Sequence, residues 1–161
     1  MNLKRFFVML AASLMISIGQ ASAAGIDTSK GITIGSGSKT VFEFTDPDCP
    51  FCRKASKYFE GRNDVTRHVF FYPLPRHRTA KAKAQYILSQ SDSAAAYHDV
   101  MSGRMDSVQT FTTTPKGVKR QQEQYDIAKS SKVSSTPTFI INGRIIEGFD
   151  VKKIEEALGP K

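Results

Sequence analysis

Thr40-Val41-Phe42-Glu43-Phe44-Thr45-Asp46-Pro47-Asp48-Cys49-Pro50-Phe51-Cys52 carries both cysteines of a 161-residue chain. Its first half, Thr40 to Thr45, is aromatic and β-branched, the composition of a strand. Asp46-Pro47-Asp48 is turn-forming, and a helix is expected from about Pro50. Phe51, Ala55, Tyr58 and Phe59 then recur at helical spacing, and Gly61 is placed to stop the helix. The cysteine pair therefore falls at a strand-to-helix junction. There the unpaired N–H groups and the helix dipole favour a thiolate at Cys49. Cys52 lies one turn further on, facing Cys49, so the pair can close a small disulfide ring and Cys52 can resolve a mixed disulfide made by Cys49. Pro50 suits the first helical position, where its missing N–H would have had no partner.

Outward from that junction, residues 24–38 are polar and rich in Gly and Ser, a lead-in with one short edge strand at Ile32-Thr33-Ile34. Val69-Phe70-Phe71-Tyr72 is a second apolar strand, ended by Pro73 and Pro75. A helical block follows. Ala80, Ala84, Ile87 and Leu88 line one helix; a second runs from Ala94 to Met101. Residues 103–115 read as loop, and a polar helix covers Lys116 to Ser130, with Tyr125, Ile127 and Ala128 as its inward candidates. Thr138–Ile141 is a strand, Asn142-Gly143 a type I′ turn and Arg144-Ile145-Ile146 the returning strand. Val151, Ile154 and Leu158 mark a closing helix. The order β-α-β, helical block, β-β-α predicts an α/β domain with a helical insertion at about 78–131.

Residues 1–23 have the form of a cleavable signal peptide. Lys4 and Arg5 precede an apolar run from Phe6 to Ile18, and Ala21-Ser22-Ala23 gives the small-x-small cleavage pattern. The run is shorter than the roughly 20 residues needed to span a bilayer. Export places the cysteines in an oxidising compartment, where a disulfide persists. The whole chain has 23 Lys+Arg against 15 Asp+Glu, a net charge of +8, with 40% hydrophobic residues. That balance is globular and excludes a disordered chain or a multi-span membrane protein. Two cysteines exclude a disulfide-stapled mini-protein. Neither G-x-G-x-x-G nor G-x-x-x-x-G-K-[ST] occurs, so nucleotide binding has no support. The basic clusters Arg76, His77, Arg78, Lys81, Lys83 and Lys116, Lys119, Arg120 read as solvated helix faces; an anionic membrane surface or acidic clients are the functional alternatives. Nucleic acid is not an expected partner.

Other readings of the C-x-x-C carry less. A four-residue ring adds little loop entropy as a structural staple. Zinc needs about four ligands, and His68, His77 and His98 have no paired spacing. Soft Cu(I) needs only two thiolates, so an exported copper-binding protein without redox turnover is the alternative function. Two further positions read two ways. Glu43, six residues before Cys49, is either a solvated strand residue or a buried carboxylate able to take the proton of Cys52. Thr136-Pro137, just before a strand, is either a trans edge proline or a cis bond that turns the backbone of Thr136 outward.

Phe44 to Cys52, Phe71-Tyr72-Pro73-Leu74-Pro75-Arg76, His98-Asp99-Val100-Met101-Ser102-Gly103 and Ser135-Thr136-Pro137-Thr138 resemble the thioredoxin superfamily. More narrowly, they resemble the catalytic domain of periplasmic thiol–disulfide interchange proteins of the DsbC/DsbG type, over about residues 39–160. The resemblance implies a thioredoxin fold over 39–161: a central mixed sheet flanked by helices, with the helical insertion ahead of the cis-proline strand. It implies Cys49 as attacking thiol, Cys52 as the buried resolving thiol, Pro137 as the cis-proline beside the disulfide, and Thr136 pairing with substrate backbone. Pro50 and Phe51 join Thr136 and Pro137 as the client-contacting surface. Glu43 takes the buried-acid position of thioredoxin and DsbA relatives. No metal and no cofactor beyond the redox-active Cys49–Cys52 disulfide is expected. The implied partners are exported cysteine-containing clients and a DsbB-like membrane oxidase or DsbD-like membrane reductase, in the periplasm. Residues 24–38 are too few for the dimerisation domain of DsbC-type isomerases, so a monomer favouring oxidation and reduction over isomerisation is expected. A Cys49 pKa of about 4–7 is expected, the range of such motifs.

Overall fold

The computed structural model describes residues 25–159; the signal peptide expected at 1–23 lies outside them. A 3₁₀ turn at Thr28–Lys30 leads into β1 (Ile32–Ile34), β2 (Lys39–Thr45), α1 (Pro50–Glu60) and β3 (Val65–Phe71). Three helices follow, α2 (Ala80–Ser89), α3 (Ser93–Met101) and α4 (Pro115–Ser130), then β4 (Thr138–Ile141), β5 (Arg144–Glu147) and α5 (Val151–Leu158). The sheet order is β1-β3-β2-β4-β5. β2 and β3 are parallel, joined through α1, and every other pairing is antiparallel. This is the expected α/β architecture with its helical insertion, α2–α4, between β3 and β4. Among the described residues no helix is long and apolar enough to cross a membrane.

Strand alternation sorts the sheet into two faces. Val41, Val65, Phe139 and Ile141 pack with Ala55 and Phe59 of α1 and with Ile154, Ala157 and Leu158 of α5. Phe44, Phe70 and Ile140 point the other way, onto Ala128 of α4. Phe44 and Phe70 are register partners whose rings stack with centroids 5.5 Å apart. A further cluster joins Val69 and Phe71 to Cys49, Cys52 and the apolar faces of α2 and α3. The cysteine pair is thus built into the core. Asn142 and Gly143 both have positive φ, as a type I′ turn requires.

The structure corrects two expectations. β3 begins at Val65, four residues before the apolar run, because Thr66, Arg67 and His68 pair along β2 opposite Thr40, Val41 and Phe42. The inward face of α4 is Gly117, Gln121, Gln124 and Ala128; Tyr125 and Ile127 are only half-buried. Gln124 is inward because it satisfies backbone: its Oε1 accepts from Phe71 N at 2.9 Å and its Nε2 donates to Lys30 O at 2.6 Å.

Gly117 is where α4 meets α2. A methyl group there would sit 2.0 Å from Ser89 Oγ and 2.8 Å from Gln85 O. Ser89 cannot yield freely, since its hydroxyl donates to Gln85 O and accepts from Thr114 N. Gly→Ala in a helix ordinarily stabilises by about 1 kcal/mol. Here Gly117→Ala should reverse that sign and destabilise by about 1–3 kcal/mol, the cost of overpacking. A urea midpoint equal to or above that of the parent protein would refute it.

Candidate functional site

Cys49 is the N-cap of α1, with Pro50 in the first turn and no side-chain cap. The helix's leading N–H groups are therefore left for the Cys49 sulfur. Cys49 is nearly buried and Cys52 fully so; both are free thiols. Between them, Pro50 is exposed and Phe51 is 57% exposed. The Thr136-Pro137 bond is cis, and the Thr136 carbonyl lies 3.4 Å from Cys49 Sγ. The loop is held in place by Gly148, whose N–H donates to Pro137 O at 2.8 Å.

The two thiols are driven apart chemically. A hydrogen bond from the Cys52 thiol brings the Cys49 pKa down from 9.0 to about 6. Burial opposes this, while the N–H groups of Cys52 and Phe51 and the Thr136 hydroxyl assist. Cys52 is pushed strongly upward, first by burial and then by its bond to Cys49. Thr45 Oγ1 and Thr136 Oγ1 are both buried without a conventional hydrogen-bond partner. Each faces a sulfur, Thr45 that of Cys52 and Thr136 that of Cys49, and each favours the thiolate there. At neutral pH the arrangement is one thiolate and one thiol, the state needed for attack followed by resolution.

The acids around the Cys49 turn are all partnered. Asp46 is buried. Its carboxylate accepts from Asp48 N at 2.8 Å and Leu74 N at 2.7 Å, and lies 2.9 Å from His77 Nδ1. Asp48 accepts from Lys83 Nζ at 2.7 Å and from the Thr79 hydroxyl at 2.6 Å. Burial raises the Asp48 pKa, but Lys83 and Thr79 outweigh it and hold the carboxyl below its ordinary value.

Glu43 is fully buried on the same face of β2 as Thr45. It has a partner the sequence reading lacks: Arg67 Nη1 lies 2.8 Å from Glu43 Oε2, and Tyr97 OH donates to Oε1 at 3.4 Å. The Arg67 guanidinium stacks between the rings of Phe59 and Tyr97, 5.1 and 5.5 Å from their centroids. The Glu43 carboxylate has no direct hydrogen bond to Cys52 among the described residues. Arg67 and Tyr97 also line a cleft of about 340 Å³, with Ser56, Phe59 and His98, that opens to solvent. The signal for Arg67 was period-2 alternation, which puts residue 67 on one face with 65, 69 and 71 once β3 is extended backward.

The histidines are engaged apart from the cysteines. His68 Nδ1 meets the Thr33 hydroxyl, His77 meets Asp46 and His98 meets Glu60. Among the described residues no group of three or more His, Cys, Asp or Glu could hold a metal ion. The copper-carrier alternative gains no support from this site.

Comparison with known proteins agrees with the geometry. A probable thiol:disulfide interchange protein DsbC of Bordetella pertussis is 30% identical over 67 residues, 42% of this chain and 24% of that protein. The match thus spans about a quarter of that relative's length. The disulfide interchange protein from Neisseria gonorrhoeae superposes with a TM-score of 0.71 at 28% identity, covering 84% of this chain and 100% of that one. The catalytic domain of Proteus mirabilis ScsC shares the fold at a TM-score of 0.62 and 20% identity, over 80% of this chain and 87% of its own. The family model described as a thioredoxin-like domain matches residues 27–153. With that match, the cis-proline beside the cysteine pair and the sheet order, the chain belongs to the thioredoxin-like domain family.

Proposed function

We propose that the chain is a thiol:disulfide oxidoreductase acting on exported proteins through Cys49 and Cys52. The observation that carries this is geometric: Cys49 caps α1 with its sulfur 3.4 Å from the Thr136 carbonyl, and Cys52 lies fully buried one turn behind it. In the reducing direction, the Cys49 thiolate attacks a client disulfide and expels one client thiolate. Cys52 then gives up its proton and attacks Cys49 Sγ, releasing the second client thiol. The client gains two electrons and Cys49–Cys52 becomes the disulfide. Oxidation of a client dithiol is the same path reversed. Thr136 offers backbone beside the reacting sulfur, and exposed Pro50 and Phe51 extend the contact surface. Glu43, buried on the Thr45 face of β2, serves as acceptor for the Cys52 proton. The signal sequence at 1–23 directs the protein to the periplasm, where a membrane thiol oxidase or reductase resets the pair. The potential of the pair decides which of the two it meets.

Equilibration of the mature protein with glutathione tests the proposal. A reversible two-electron transition at about −120 to −200 mV is expected, the range of oxidants and isomerases. Iodoacetamide alkylation of the reduced form should have its midpoint near the Cys49 value of about 6. An acid whose pKa is lower in the folded state contributes stability that is full above its unfolded value and lost as pH falls through its folded value. The reduced protein should therefore lose stability relative to the oxidised one as pH falls from about 9 to about 6. The proposal is overturned if no reversible transition appears.

A further inference from the structure

Asp106 lies in the segment between α3 and α4, far in sequence from the cysteines. Gly103, with φ 88°, turns the chain back after α3. Asp106 N then donates to Gly103 O at 3.1 Å, and the side chain comes to rest against α1. Its carboxylate takes both arms of the Arg53 guanidinium, Nη1 at 2.6 Å and Nη2 at 2.7 Å, and also lies 3.1 Å from Lys83 Nζ. Arg53 is four residues beyond Cys49 on the same helix face, its N–H bonded to Cys49 O. Its Nε donates to Pro47 O at 2.9 Å, within the turn before Cys49. Lys83, nearly buried, bridges Asp106 to Asp48, the residue before Cys49. Two cations and two anions thus enclose the Cys49 turn, and Asp106 contacts both cations.

We propose that Asp106 sets how strongly the Cys49–Cys52 pair oxidises its partners, by compensating the two cations that flank the Cys49 turn. Asp106 is a positioning residue and touches neither sulfur. This role presupposes the thiol–disulfide exchange proposed for Cys49 and Cys52. Reduction of the protein disulfide by two glutathione thiols gives glutathione disulfide, one Cys49 thiolate, one Cys52 thiol and one released proton. Negative charge appears at Cys49 only in the reduced form. Uncompensated positive charge nearby therefore favours reduction, and compensation by Asp106 restrains it. The other titratable or charged groups around the turn and on the neighbouring strands are Asp46 with His77, Asp48 with Lys83, and Glu43 with Arg67.

The test is the glutathione equilibrium constant at pH 7 for Asp106→Asn and Arg53→Gln. Asp106→Asn keeps the shape and removes the negative charge. It should raise the constant for reduction about three- to tenfold, the size expected of one partly screened charge. A tenfold change is about 30 mV in a two-electron couple. Arg53→Gln removes the opposite charge from the same bidentate pair and should lower the constant by a similar factor. A clamp with only a mechanical role would be loosened by both variants and move the constant the same way in both. Opposite shifts establish the inference; shifts in one direction, or none, overturn it. Loss of any reversible transition in the parent protein would instead overturn the exchange reading itself.

Discussion

Cys49→Ser should abolish disulfide exchange, and Cys52→Ser should arrest it half-way, with the client bound covalently to Cys49. Serine at 49 leaves no thiolate, and Cys52 cannot substitute: it is fully buried and its pKa is pushed upward by burial. Serine at 52 leaves the Cys49 nucleophile in place but removes the group that releases the client. Resolution by Cys52 is intramolecular, and effective molarities of well-placed groups reach about 10⁵–10⁸ M. External thiols at millimolar concentration cannot match that, so the mixed disulfide should outlive the normal intermediate by at least ~10³-fold. Mass spectrometry of non-reduced mixtures with a single-disulfide peptide reads both outcomes. Exchange persisting in Cys49→Ser, or no adduct in Cys52→Ser, would contradict the assigned roles.

Arg67→Met should cost about 3–5 kcal/mol of stability, the range for stripping one partner from a buried ion pair. Both members are buried, and Glu43 would be left with only the long contact to Tyr97 OH. The methionine keeps contact with the Phe59 and Tyr97 rings, which isolates the charge from the packing. Combining Arg67→Met with Glu43→Gln removes both charges and should restore much of the loss, since a buried pair gains little over neutral residues of similar volume. Urea unfolding of the two single variants and the double variant measures the coupling. Additive losses would show that the pair does not act as a unit. The double variant also exposes the proton role of Glu43. With stability restored, closure of the Cys49–Cys52 disulfide should still slow by about 10²-fold or more, the usual contribution of a positioned base. Closure at the parent rate would remove Glu43 from the chemistry.

Much of this molecule is written locally. Cys49 caps a helix because a strand, a turn of Asp and Pro, and a proline at the first helical position follow one another within a dozen residues. Asn142-Gly143 turns the β4–β5 hairpin because both residues tolerate positive φ. The amphipathic faces of α1 and α5 follow from the 3.6-residue period, and such signals need no knowledge of distant chain. The polar partnerships were not legible in this way. Arg67 lies 24 residues from Glu43, Asp106 53 residues from Arg53, and Gln124 53 residues from Phe71. A pattern of apolar periods treats an arginine in a strand, or a glutamine on a polar helix, as solvent-facing. It therefore cuts β3 short and places the inward face of α4 at Tyr125, Ile127 and Ala128, of which only Ala128 is buried.

The sequence by itself determined the cysteine pair, its place at the strand–helix junction and the order of elements, because those depend on neighbours along the chain. Only the tertiary structure decided which charges meet beneath and beside the pair. Strand register sets Arg67 opposite Val41, diagonal to Glu43, and the return of the chain after α3 brings Asp106 to Arg53. A buried charge persists only where such a partner arrives, so its identity is a property of packing rather than of spacing.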